Sequence, residues 1–283
     1  MYSTIIETSE LNQLYQDKKP FIVFDCRFNL FDTQAGFNAY CEKRIPTAHY
    51  LHLDNHLSSP ITASSGRHPL PSRQKIESLF DLFNITPEIQ VVVYDAQNHA
   101  FASRAWWLFQ ALGHKNCAVL NGGFNAWQSQ QNKVETGTLS ELDSFNPIEV
   151  KNQEDPGAFD FVLPVVSQNE LCNCIKDTTH LLIDAREAQR FEGIQEPIDP
   201  VAGHIPTAIN APMNNVIDAN GFFYDKEKLR QYWGNLGAAD KNVIHYCGSG
   251  VTACVNILSF AIAELPIPTL YAGGWSEWCK SKI

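Results

Sequence analysis

The chain has no apolar run near the ~18 residues that a membrane-crossing helix needs. Its opening, MYSTIIETSELNQLYQ, lacks a basic segment followed by an apolar one. Both absences predict a cytoplasmic protein with no membrane partner. Positive charge is scarce: 21 Lys and Arg face 31 Asp and Glu, for a net charge of -10. The overall field therefore repels polyanions, and nucleic acid is not expected as a partner. No glycine-rich loop of the nucleotide-binding type is present. Cys172 and Cys174 have poor spacing for half a zinc site, and no second Cys or His pair answers them, so neither a metal nor a cofactor is expected. In a chain of this length the eight cysteines are expected to be reduced thiols.

What the sequence does contain is a second copy of itself. VFDCRF (23–28) matches LIDARE (182–187), and RIPTAHYLHLD (44–54) matches HIPTAINAPMN (204–214). VVVYDAQ (91–97) answers VIHYCGS (243–249), and LNGGFNAWQ (120–128) answers YAGGWSEWC (271–279). The spacing between copies stays near 150–160 residues, which predicts two similar domains, 1–136 and 161–283. The polar, proline-bearing stretch 137–160 reads as a linker.

Continuous apolar runs at 21–25, 91–95, 181–184 and 243–247 predict buried parallel strands. Segments 100–114 and 251–265 carry apolar residues at helical spacing. The alternation implies an α/β fold, each domain a mostly parallel sheet flanked by helices, with ligands beyond the carboxyl ends of the strands.

Cys247 stands at such an end, followed by Gly248, Ser249, Gly250, Val251 and Thr252. A thiol reacts as its thiolate, so a reactive site must favour the anion. A loop opening a helix can turn backbone N–H groups and the positive end of the helix dipole toward sulfur, and glycines at 248 and 250 allow the positive φ angles of such a concave turn. The alternative is a small buried hydrophobe in an ordinary turn. The first copy favours chemistry at 247, because it carries Asp95 there and lacks the glycine pattern. Cysteine phosphatases need an arginine six positions on to grip phosphate, and position 253 is alanine. His245, two residues before Cys247, faces the other side of the strand and reads as a core residue.

The D-x-R, IPTA, strand-plus-loop and GG(F/W)xxW segments together resemble the two-domain sulfurtransferases of the rhodanese superfamily, over nearly the whole chain. The loop CGSGVT is similar to that of the 3-mercaptopyruvate sulfurtransferases. Thiosulfate sulfurtransferases, the alternative on the same scaffold, carry basic residues after the cysteine. The resemblance implies that Cys247 takes sulfur from a small anionic donor as a persulfide and passes it to a thiol, cyanide or a thioredoxin-like acceptor. A non-turnover persulfide carrier or redox-sensing module is the alternative of another class.

By the same resemblance Ser249, His68 and Asp54 form a proton relay, and Arg190 binds the anionic donor. Ser249 capping the following turn is the other reading of that residue. Arg186 and its counterpart Arg27 read as structural because both copies carry them. Mercaptopyruvate enzymes have a second arginine a little downstream, where this chain reads IQEPIDPVAGH with no basic residue. Arg67 and Arg104 are candidates for its place. Arg73 and Lys75 read as solvated helix residues. Cys254 is expected to be buried two turns along the helix, with a redox role as the alternative.

Overall fold

The computed structural model describes residues 1–17, 19–96, 98–136 and 161–282. The expected linker, 137–160, lies outside the described residues. The chain forms two compact units. The first comprises Met1–Ser59, Pro71–Val162 and Ala219–Phe222; the second comprises Pro60–Leu70, Leu163–Asp218 and Phe223–Ile283.

The sheet of the first unit contains β1 (Ile5–Ile6), β2 (Phe21–Asp25), β3 (His49–Tyr50), β4 (Gln90–Tyr94) and β5 (Cys117–Leu120), in the order β1-β5-β4-β2-β3. All its pairings are parallel. Its helices are α1 (Thr8–Asp17), α2 (Ala35–Glu42), α3 (Arg73–Leu82), α4 (Ala100–Ala111) and α5 (Gly123–Ser129).

The second unit repeats the plan with β6 (His180–Asp184), β7 (Ile209–Asn210), β8 (Asn242–Tyr246) and β9 (Thr269–Leu270), in the order β7-β6-β8-β9 and again all parallel. What is β1 in the first sheet shrinks here to one parallel bridge between Val165 and Leu270. The helices are α6 (Gln168–Cys174), α7 (Ala188–Phe191), α8 (Lys226–Asn235), α9 (Ala253–Ile262) and α10 (Gly274–Trp278).

Strand β4 is buried along its whole length, and β8 from Val243 onward, as expected for central strands covered on both faces. Helices α4 and α9 are apolar nearly all round and correspondingly buried. Helix α4 stops short of the expected position 114, because Gly113 takes φ +92° and turns the chain off the helical path.

The repeated motifs make the same bonds twice. The Arg27 backbone N–H and guanidinium both donate to Asp25, and Arg27 Nη2 also reaches the Lys43 carbonyl. Arg186 does the same with Asp184 and the Gly203 carbonyl. Tyr94 and Tyr246 hydroxyls accept from the Ile45 and Ile205 N–H groups, each at 3.2 Å. In each IPTA turn the threonine takes a left-handed conformation, with φ 58° at Thr47 and 69° at Thr207. A duty performed identically in both units is a folding duty, so Arg186 and Arg27 are structural.

Candidate active site

Strand β8 delivers Cys247 at its carboxyl end, and α9 opens at Ala253, so the intervening loop lies against the N-terminal end of that helix. The GG(F/W)xxW motif grips this loop. The Trp275 N–H donates to the Cys247 carbonyl at 2.8 Å, and the Ser276 N–H to the Gly248 carbonyl at 2.9 Å. That approach requires Gly274, at φ +61°: a Cβ there would lie 2.6 Å from the Cys247 oxygen. Gly250 has φ +71° and packs against the Ala272 carbonyl. Gly248 differs from expectation, since its backbone stays outside the left-handed region. What it provides is space, because a Cβ at 248 would lie 2.8 Å from Arg67 Nη2.

The first unit builds the same loop around a carboxylate. Phe124 and Asn125 N–H groups donate to the Asp95 and Ala96 carbonyls, and Gly123, at φ +60°, permits the approach. Asp95 Oδ1 accepts from His99 N–H at 3.0 Å, while Oδ2 accepts from Phe101 and Ala102 N–H at 3.0 and 3.2 Å. Three backbone amides thus converge on a buried carboxyl group at the position matching Cys247. Burial pushes the Asp95 carboxyl up, and these amides oppose that.

Segment Pro60–Leu70 belongs to the second unit and carries Arg67 and His68. Ser276 fixes it, accepting from the Arg67 N–H at 3.0 Å, while Lys280 Nζ donates to the carbonyls of Thr62, Ala63 and Ser65. His68 Nδ1 comes within 2.8 Å of Ser249 Oγ, and both side chains are buried. Ser249 therefore bonds across the fold to a histidine, two residues from Cys247. Asp54 lies in the first unit, half-buried in the turn after β3, where its N–H donates to His52 Nδ1 at 3.1 Å.

Arg190, on α7, donates through Nε and Nη2 to Glu196, and through Nη2 to Asp199 at 3.2 Å. Arg67 Nη1 pairs with the same Asp199. Glu196 also takes Arg186 Nη1 at 3.2 Å. Desolvation lowers the Arg67 pKa against the pull of Asp199. Desolvation also raises Asp199. The segment IQEPIDP, which is poor in cations, thus supplies the carboxylates that hold the arginines. Sequence reasoning missed Glu196 and Asp199; their placement just after Arg190 was the available signal.

Arg104 lies fully buried in the first unit, near the Leu57 carbonyl. Arg73 is solvated, paired with Glu77 one turn on. Lys75 is not: its Nζ donates to the Ser58 carbonyl at 2.6 Å, and burial lowers its pKa. Its aliphatic stem carries it inward, as lysine permits. Cys254 is buried, but in the first turn of α9, because the loop takes up residues through Thr252; its thiol donates to the Gly250 carbonyl. His245 is wholly buried between Trp233 and Phe260, and desolvation lowers its pKa to about 3. Among the described residues no disulfide joins any of the eight cysteines. Among the described residues no helix is long and apolar enough to cross a membrane.

A duplicated parallel α/β fold with a loop-borne cysteine in one copy defines the class. The rhodanese-like domain model matches residues 7–130 and 167–281, and the chain belongs to the rhodanese family. It is 38% identical to a Pseudomonas aeruginosa protein named "Probable 3-mercaptopyruvate sulfurtransferase", covering 91% of this chain and 88% of that one. A Mycobacterium tuberculosis protein provisionally named a thiosulfate sulfurtransferase is 34% identical over 97% of this chain and 93% of its own length. The solved 3-mercaptopyruvate sulfurtransferase from Leishmania major superposes with a TM-score of 0.80 at 27% identity, covering 98% of this chain and 74% of that one.

Proposed function

We propose that the protein transfers sulfur from 3-mercaptopyruvate to a thiol, cyanide or thioredoxin-like acceptor through a persulfide on Cys247, with release of pyruvate. The observation that carries this reading is the Ser249–His68 hydrogen bond beside the cysteine loop. The Cys247 thiolate attacks the donor's sulfur; an S–S bond forms, the C–S bond breaks, and its electron pair leaves on pyruvate as an enolate. That carbon needs a proton, and the new persulfide has one to lose. A hydroxyl bonded to an imidazole is suited to carry it, with Asp54 as third member by family resemblance. The resulting persulfide anion gains from converging backbone amides of the kind Asp95 receives in the first unit.

In this reading 161–283 is the catalytic domain, 1–136 the copy that has lost its thiol, and 137–160 the connection. Arg190 binds the donor's carboxylate. Eight cysteines outside any disulfide accord with a reducing, cytoplasmic setting.

The deciding experiment is intact mass spectrometry after addition of 3-mercaptopyruvate. A gain of one sulfur at Cys247, absent in Cys247→Ser, is expected; turnover by Cys247→Ser would overturn the assignment. Thiosulfate as donor is the second reading, favoured by the Mycobacterium relative's name. Comparing kcat/KM for pyruvate release with that for thiocyanate formation separates the two.

A further inference from the structure

We propose that Arg67 is the second arm of a two-arginine seat over Gly248, built for the carboxylate of a 2-oxo acid donor; this rests on the sulfurtransferase reading. Gly248 directly follows Cys247. Its missing Cβ would lie 2.8 Å from Arg67 Nη2 and 3.6 Å from both Nη1 and Nη2 of Arg190. Because its backbone is ordinary, what the glycine permits is the close approach of two guanidinium groups to the loop beside Cys247.

Each guanidinium is tied down on its far side. Arg67 Nη1 is held by Asp199, and Arg190 Nε and Nη2 by Glu196 and Asp199. The Ser276 hydroxyl holds the Arg67 backbone, while the Ser276 N–H holds the Gly248 carbonyl, so the two sides of the seat share one anchor. Among the described residues Arg67 Nη2 and Arg190 Nη1 have no acceptor, and the buried Arg67 Nε has none either. The two guanidinium groups thus keep donors beside the loop that a ligand supplying two acceptor oxygens can engage with charge-assisted hydrogen bonds.

The charge balance narrows the ligand. Arg67, Arg186 and Arg190 are offset by Asp184, Glu196 and Asp199, so the cluster is formally neutral. A neutral cluster recognises its ligand by donor direction, and a monoanionic carboxylate leaves water more cheaply than dianionic thiosulfate. Arg67 thus replaces, from the 60–70 segment, a cation that the stretch after Arg190 lacks.

The test compares the protein with Arg67→Ala, Arg67→Lys and Gly248→Ala. Arg67→Ala should raise the KM for 3-mercaptopyruvate about tenfold or more, the loss of a charged hydrogen bond, with a smaller change in kcat and little change in the KM for thiosulfate. Arg67→Lys should restore only part of this, since it keeps the charge without the fork. Gly248→Ala, whose methyl would displace the Arg67 guanidinium from the loop, should act like Arg67→Ala and serves if that variant fails to fold. An unchanged mercaptopyruvate KM in folded Arg67→Ala, or equal increases for both donors, overturns the proposal. Calorimetric binding of pyruvate to the unreacted protein probes the seat apart from turnover. Binding weakened in Arg67→Ala supports the seat even if Cys247 never gains sulfur, whereas equal binding by both overturns it.

Discussion

His68 Nδ1 and Ser249 Oγ, 181 positions apart in the chain, stand 2.8 Å from each other in the second unit. The bond means that the serine after Gly248 is not spent on capping α9, whose first turn has no side-chain cap. Ser249→Ala and His68→Gln should therefore each lower pyruvate formation from 3-mercaptopyruvate by about a hundredfold or more. Thiosulfate cleavage, which releases sulfite and needs no carbon protonation, should fall far less. Steady-state assays with both donors check this, and equal losses would argue against proton transfer.

The contact of Gly274 with the Cys247 carbonyl makes that glycine irreplaceable. In Gly274→Ala the new methyl would meet Cys247 O at 2.6 Å and Gly248 O at 2.8 Å, at φ +61°. Strain of this kind costs about 1–3 kcal/mol, and its relief must move the loop. A lower Tm together with a loss of persulfide formation is expected. A variant that lost stability but kept full turnover would show that the loop tolerates the shift.

Asp95 predicts a separation of stability from activity. Asp95→Ala strips three backbone amides, two of them buried, of their acceptor and should destabilise the first unit by on the order of 3 kcal/mol. Asp95→Asn, keeping one acceptor oxygen, should cost less. Urea unfolding measures both, and the chemistry of sulfur transfer in the folded fraction should be unaltered.

His245 contributes an acid sensitivity with a definite sign. Its pKa is lowered to about 3 by burial, so below pH ~6.5 the unfolded chain takes up a proton that the folded one refuses. Stability is lost as pH falls from about 6.5 toward 3, by on the order of 4 kcal/mol at most for this group. His245→Leu should flatten that part of the stability profile, measured by denaturant unfolding at several pH values. An unchanged slope would mean that the imidazole titrates normally.

The strands β2, β4, β6 and β8 were legible because they repeat, and the one chemical difference between the copies, Asp95 against Cys247, is what singles out that cysteine as a candidate. The placement of His245 was legible from strand alternation. The Ser249–His68 contact came only through family resemblance, since no local pattern reports on a bond spanning 181 positions. Lys75 was misread because helical periodicity describes Cβ directions, whereas a four-carbon stem can fold its amine back to a carbonyl such as that of Ser58. The role of Gly248 was misread for a related reason: a glycine that frees dihedral angles and one that frees volume are identical in sequence. Glu196 and Asp199 carry no local pattern that assigns them a role, and only the fold turns them onto Arg67 and Arg190.

The Asp95 loop carries a further consequence. A side chain bonded covalently to its own cradle can never diffuse away, so what can act as a docking berth in one copy has become a permanent rivet in the other. Putting a thiol at 95 would not by itself revive a second reaction centre: no Ser–His couple is spelled out in AQNHAF, and the freed amides would close on whatever acceptor lay nearest. Having duplicated, the chain could fasten one half firmly and leave the other to tolerate the comings and goings of sulfur.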